Sequence, residues 1–312
     1  MTATLAIGPY NATELPALEQ DFAAQVIADP SGLASLDEAV RAGITAVAYK
    51  GHHAFGAAQM DMLPNLKLIA NYGVGYDAID VAAANARGIK VTNTPDVLND
   101  DVADLAIAMW LQQGREMRQA EERVRSGKWA SEGPAPLNRK LSGGTAGIMG
   151  LGRIGRDIAD RLAAFKMDIH YHARSEKQTP GWTYHADPVD LAKAVDFLFV
   201  ALVGGPETEN YVSKEVISAL GPRGVVINIS RGSTVDEGAL LDALESGAIA
   251  GAGLDVFVGE PDVDPRFREL ENVALQPHQG SGTVETRAAM AKLQRDNIAA
   301  HLKGAGLLTP VN

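Results

Sequence analysis

The chain has 312 residues, 46% hydrophobic and 21% charged, an ordinary globular balance with length enough for two domains. A net charge of −11 argues against a general nucleic-acid or anionic-membrane surface, so any anionic ligand must be held by a few local Arg or Lys. No cysteine is present, which excludes disulfides and thiolate chemistry and fits the cytoplasm. Neither a signal-peptide pattern nor an apolar run of membrane-spanning length is found, so a soluble intracellular protein is expected.

Residues up to about 92 alternate short apolar runs with helical patterns. Strands are expected at Thr4–Ile7, Phe22–Ile27, Ala46–Tyr49, Lys67–Ala70 and Lys90–Val91. Helices are expected at Asn11–Glu19, Leu36–Arg41, Phe55–Met60 and Ala78–Arg87. Such alternation implies a parallel sheet covered on both faces. After the fourth strand comes Asn71-Tyr72-Gly73-Val74-Gly75-Tyr76-Asp77, either an anion-binding loop of backbone N–H groups or a plain turn. Lys50, followed by Gly51-His52-His53, stands at a strand end, where it either touches substrate or lies in an exposed loop.

One long helix is expected from Asn99 to Arg125, with acids at its start and Arg at its end to complement the dipole. A Pro- and Gly-rich loop, Ser131 to Gly144, leads to the most informative stretch, Thr145–Lys177. There the strand Ala146–Met149 runs into Gly150-Leu151-Gly152-Arg153-Ile154-Gly155, then a helix, then a second strand, Asp168–His172. This is the frame in which G-x-G-x-x-G binds a dinucleotide: one glycine for the turn, one for pyrophosphate approach, one for helix–strand packing. The helix N-terminus then faces the phosphates. An NAD site wants an acid at the end of the second strand. This chain offers His172, Arg174, Ser175 and Lys177, donors suited to a 2′-phosphate, so NADP(H) is the expected cofactor.

Further strands follow at Val195–Ala201, Val225–Ile229 and Ala252–Val256, with helices at Lys214–Leu220 and Asp236–Ser246. Arg231, Glu260 and His278 each follow a strand, where open α/β sheets bind ligands. An Arg fork can hold a carboxylate and its adjacent carbonyl oxygen. A His can give that carbonyl a proton, and a Glu bonded to the imidazole favours its charged form. In a nicotinamide-nucleotide protein, the set describes hydride transfer to a 2-oxo acid. No Cys, His-x-x-x-His or clustered carboxylates suggest a metal, and His170, His185 and His301 read as structural or solvated.

These segments resemble the D-isomer-specific 2-hydroxyacid dehydrogenase family over nearly the whole chain. NYGVGYDAIDV, GIMGLGRIG, INISRGSTVDEGAL, GAGLDVF, NVALQPH and GSGTVETR carry the likeness. TNTPDVLNDDVADLA, HARSEK, ALVGGPET and LLTPVN point within it to the NADP-dependent glyoxylate/hydroxypyruvate reductase branch, which includes hydroxyphenylpyruvate reductases.

The resemblance implies two Rossmann-like, doubly wound parallel-sheet α/β domains. A flavodoxin-like substrate domain would take residues 1–98 plus 285–312, and an NAD(P)-binding domain residues 99–284. Arg231, Glu260 and His278 would be catalytic, with Val74 and Gly75 offering N–H groups to the substrate carboxylate. Asp255 would meet the nicotinamide carboxamide, and Ala201, Leu202, Val203, Ile229, Ser230 and Gly280 would line the dinucleotide. The long helix and the loop Trp129 to Leu137 would join a twofold homodimer. NADPH-dependent reduction of glyoxylate or hydroxypyruvate to a D-2-hydroxy acid is the implied activity. Alternatives are reduction of larger aryl 2-oxo acids such as hydroxyphenylpyruvate, or a nucleotide-sensing, corepressor-type binding protein. Departures from the family pattern are Gln279 after the catalytic His and Gly144 before the fingerprint strand.

Overall fold

Two families of short apolar strands organise the chain, which the computed structural model describes over residues 3–312. It divides into two units, one ending at Leu98 and resuming at Thr283, the other running from Asn99 to Gly282.

The first unit contains β1 (Thr4–Ile7), β2 (Gln25–Ile27), β3 (Ala46–Tyr49), β4 (Leu68–Asn71) and β5 (Lys90–Thr92). They pair in parallel in the order β2-β1-β3-β4-β5, the flavodoxin-like doubly wound arrangement. Every residue of β1, β3 and β4 is buried, as strands covered on both faces must be. Helix Val284–Leu302 packs on β3 and β4, where Ile298 joins the core and Gln294 donates to the carbonyls of Tyr49 and Ala70. The expected strand Phe22–Ile27 is shorter than its apolar pattern. Phe22 ends helix Leu15–Phe22, one turn beyond Leu18 in the same core cluster, and Ala23 closes the helix with a left-handed φ of 48°.

The second unit contains β6 (Thr145–Met149), β7 (Asp168–His172), β8 (Thr183–His185), β9 (Phe197–Val200), β10 (Val225–Asn228), β11 (Gly251–Leu254) and β12 (Val273–Leu275). All are parallel, in the order β12-β11-β10-β9-β6-β7-β8. The order reverses between β6 and β9, so the crevice above that pair is where a dinucleotide is bound in this architecture. The expectation of two doubly wound parallel-sheet α/β domains is met.

The long helix is two. Asn99–Gly114 is set against the sheet by Val102, Ala103, Ala106, Ile107, Met109 and Trp110, all buried. Met117–Arg125 is charged, buries nothing, and is turned away at Glu116, whose φ is 45°. Gly114 marks the break, since a Cβ there would lie 2.5 Å from the Leu141 side chain. Among the described residues no helix is long and apolar enough to cross a membrane.

Trp110 is fully buried, with Phe165, Phe197 and Phe199 edge-on at 5.2, 5.5 and 6.3 Å. Trp110→Ala should cost about 3–5 kcal/mol, as large-to-small substitutions of buried aromatics do. Chemical denaturation would register it as a lower midpoint for the second unit; a loss below about 1 kcal/mol would contradict this packing.

Candidate active site

In the second unit β6 runs into Gly150, and helix Arg153–Ala164 starts after Gly152. The turn is tight because Gly155 sits on it: a Cβ there would lie 2.1 Å from the Gly150 carbonyl oxygen. Around Gly152 the reverse holds. A Cβ would meet nothing within 4 Å, and Gly152 and Arg153 are exposed. An open glycine at the positive end of a twelve-residue helix is a fitting cradle for a pyrophosphate. Beside it, Ala201, Leu202 and Val203 leave the end of β9, and Ile229 and Ser230 leave the end of β10. The two edges are joined where the Ser230 hydroxyl donates to the Leu202 carbonyl.

The loop after β7 exposes Arg174, Ser175 and Lys177. Lys177 Nζ donates to Ser175 Oγ at 3.1 Å, and among the described residues the Arg174 guanidinium has no protein partner. This suits a 2′-phosphate. His172 does not join them, which corrects the sequence expectation. It is 6% exposed, with Nδ1 2.9 Å from the His185 carbonyl and Nε2 2.8 Å from the Tyr211 hydroxyl. A carbonyl at Nδ1 requires the proton there, and Tyr211 occupies Nε2 whichever way that bond runs, so no donor remains for a phosphate.

Three neighbouring strands carry the proposed proton-transfer machinery. After β10, the Asn228 side chain donates to the Arg231 carbonyl at 3.0 Å and accepts from the Ser230 N–H at 3.0 Å. This fixes the turn presenting Arg231, whose Nη1 donates to the Ser230 carbonyl at 2.8 Å. Gly232 then packs so closely on the loop after β11 that a Cβ would fall 2.0 Å from the Phe257 carbonyl carbon. That same loop bears Glu260. Its Oε1 accepts from the Phe257 N–H at 2.8 Å, and its Oε2 lies 2.7 Å from Nδ1 of His278, which follows β12.

His278 has a left-handed backbone, φ 54°, held from behind by Asp255. The Asp255 carbonyl accepts from the His278 N–H at 2.9 Å. Its carboxylate accepts from the N–H groups of Gln279 and Gly280 at 2.6 and 2.8 Å. Burial pushes the Asp255 carboxyl above its ordinary value, and the two amide donors oppose this. Gln279 thus meets Asp255 through its backbone, whatever residue the family prefers there.

In the first unit the loop after β4 has its carbonyls tied back. Asn71 Nδ2 donates to the carbonyls of Gly73 and Gly75 at 3.1 and 2.8 Å, and Asn93 Nδ2 to that of Val74 at 2.9 Å. Thr94 exchanges two bonds with Gly73. Among the described residues none accepts from the N–H of Val74 or Gly75, a geometry that leaves both donors open to an anion. Sequence reading missed Asn71, Asn93 and Asn228; an Asn closing a strand ahead of a glycine or Arg turn was the available signal.

Lys50 is neither exposed nor uncommitted. Its ammonium bonds the Glu14 carboxylate and lies 4.5 Å from the Tyr72 ring centroid, while the Tyr72 hydroxyl donates to Glu14 at 2.7 Å. Its charge is met by Glu14 inside the first unit, so any contact with substrate would be shared with that ion pair. Burial pushes the Glu14 carboxyl up, but bonds from Lys50, the Asn11 N–H and Tyr72 outweigh it and hold the group below the ordinary 4.5. A depressed folded-state value means that its stabilisation is complete above the unfolded value and lost as pH falls through the folded one. Glu14→Gln should therefore flatten the acid limb of the melting-temperature profile below about pH 4.5. An acid limb as steep as that of the wild type would refute the contribution.

Residues 107–280 match the model of the D-isomer specific 2-hydroxyacid dehydrogenase NAD binding domain. The hydroxyphenylpyruvate reductase of Plectranthus scutellarioides is 47% identical over 268 residues, covering 86% of this chain and 85% of that protein. The glyoxylate/hydroxypyruvate reductase A of Arabidopsis thaliana is 47% identical over 274 residues, covering 88% and 87%. An NADPH-dependent glyoxylate/hydroxypyruvate reductase from Sinorhizobium meliloti, solved with NADP and malonate, superposes with a TM-score of 0.94 at 44% identity, over 100% of this chain and 97% of that one. With two doubly wound sheets and a dinucleotide turn at the switch point of the second, this chain belongs to the D-isomer-specific 2-hydroxyacid dehydrogenase family and is an oxidoreductase of that family.

Proposed function

We propose that the chain reduces small 2-oxo acids such as glyoxylate and hydroxypyruvate to D-2-hydroxy acids, with NADPH as reductant. The observation that carries this is the Glu260–His278 pair at 2.7 Å, on loops packed against the turn that presents Arg231. Bound NADPH supplies the hydride that the carbonyl carbon receives. Arg231 holds the substrate carboxylate and polarises the ketone oxygen with its planar fork. Glu260 occupies Nδ1, so Nε2 is the atom assigned to protonate that oxygen. The N–H groups of Val74 and Gly75 take the remaining carboxylate charge. Gly150, Gly152, Arg153, Ile154 and Gly155 hold the pyrophosphate, and Arg174, Ser175 and Lys177 the 2′-phosphate. Asp255 and Gly280 flank the nicotinamide side, with Asp255 also keeping the His278 loop in place.

The second unit is thereby the nucleotide domain and the first the substrate domain. A twofold dimer through the segment containing Trp129 and Leu137 is part of the same reading; these side chains are 61% and 100% exposed. Reduction of aryl 2-oxo acids is the competing reading, favoured by the hydroxyphenylpyruvate reductase relative at the same 47% identity.

His278→Ala should lower kcat by roughly 10²–10⁴-fold with NADPH affinity unchanged, in stopped-flow turnover and fluorescence titration. Near-normal turnover would remove His278 from the reaction. A panel of 2-oxo acids assayed with NADPH and with NADH should give the largest kcat/KM for glyoxylate or hydroxypyruvate with NADPH. A hydroxyphenylpyruvate optimum would select the competing reading, and an NADH preference would overturn the cofactor.

A further inference from the structure

Behind the exposed phosphate-facing loop stands a buried hydroxyl that the proposed reaction does not use. Tyr171, on β7, is 1% exposed, yet its hydroxyl makes two hydrogen bonds to one residue of the loop. It donates to the Lys177 carbonyl at 3.0 Å and accepts from the Lys177 N–H at 2.8 Å. A single phenol therefore satisfies both backbone groups of a side-chain-exposed residue and pins the far end of the loop to the sheet. The near end is pinned as well, since the Tyr184 hydroxyl on β8 donates to the Ala173 carbonyl at 3.3 Å. Between the two anchors lie Arg174, Ser175 and Glu176, all exposed. The tyrosine rings rest on each other across the registered β7–β8 pair, with centroids 5.4 Å apart.

We infer that Tyr171 is a positioning residue for cofactor choice: its hydroxyl sets the loop that presents Arg174, Ser175 and Lys177 to a ribose 2′-phosphate. The inference rests on the NADPH reading above. A long, exposed Arg or Lys gains little from a phosphate if it must first be ordered, because immobilising each such side chain carries an entropic cost. A loop fixed at both ends lowers that cost, as does the Lys177–Ser175 bond already in place at 3.1 Å. Tyr171 touches neither the pyrophosphate turn nor the Glu260–His278 pair, so its loss should alter discrimination at the 2′ position and nothing else.

Tyr171→Phe keeps the ring and removes only the two bonds. Titration calorimetry would measure adenosine 2′,5′-bisphosphate and adenosine 5′-monophosphate against wild type, Tyr171→Phe, Arg174→Ala and the double variant. The bisphosphate should bind Tyr171→Phe roughly 3- to 10-fold more weakly, the monophosphate unchanged, and the effect should shrink in the Arg174→Ala background. The NADPH KM should rise in parallel while the NADH KM and kcat stay put.

If wild type binds both nucleotides equally, the NADPH reading itself fails. If wild type discriminates and Tyr171→Phe discriminates as strongly, or loses both nucleotides alike, the role of Tyr171 falls and the reading stands. Hydrogen exchange on the unaltered protein gives a test that needs no variant. The Lys177 amide should exchange at least about tenfold more slowly than that of Glu176, and equal rates would overturn the proposal.

Discussion

A carboxylate oxygen 2.7 Å from an imidazole nitrogen, Glu260 to His278, is the contact on which the proposed chemistry depends. It joins loops from two adjacent strands, each with its own anchor. His278 adopts a left-handed backbone, which for a non-glycine residue stores on the order of 1–3 kcal/mol. Asp255 offsets this with two amide-to-carboxylate bonds to the residues that follow, and bonds to charged groups contribute about 1.5–3 kcal/mol each. Its burial acts against it, raising the carboxyl above its ordinary value, so the clamp works because both oxygens are met by backbone donors. Removing one amide would leave a buried charge half satisfied, and the left-handed turn would no longer be over-determined.

The two units solve a common problem by the same device. A parallel sheet ends in loops whose backbone groups must be satisfied, and an anionic ligand needs N–H groups pointing outward. Asn71 closes β4 and Asn228 closes β10, and each turns its side-chain amide back onto the carbonyls of the following turn. With the acceptors occupied from within, the outward face of the Gly73–Gly75 loop is rich in donors. Alanine at either position would leave those carbonyls without the amide donor that now satisfies them.

Period and punctuation made the fold legible in the amino-acid sequence. Continuous apolar runs of four or five residues bounded by turn residues are the pattern of strands buried on both faces, and β1, β3, β6, β9 and β10 lie where such runs fall. Arg231, Glu260 and His278 stood out because each follows such a run. Much less legible were features decided by partners distant in sequence. β8 is short and polar, held to β7 by pairing and by tyrosine packing. His172 looked like a loop cation, but β8 extends far enough to pair with it and Tyr211, 39 positions on, takes its second nitrogen. Lys50 looked available because Glu14, its counter-ion, lies 36 residues earlier with no pattern linking them. The helix after Asn99 keeps the acids of its first turn but no basic last turn, because it ends at Gly114, where a side chain would meet Leu141, and the arginines fall to the next helix.

The net charge of −11 makes the economy of cations intelligible. At physiological salt the Debye length is about 8 Å, so the acidic surface neither repels a distant dianion strongly nor guides it in. What matters is the charge within contact distance and how well it is held. Lys50 shows the alternative fate: close to a carboxylate, its charge is spent inside the first unit. Arg174 lies in a loop whose side chains face solvent, and among the described residues it makes no ion pair. Exposed charge alone gives little affinity, because a mobile guanidinium must be ordered as it binds. A neutral phenol beneath the loop can thus govern recognition of a phosphate more than a further lysine would, since it changes the cost of ordering rather than the field.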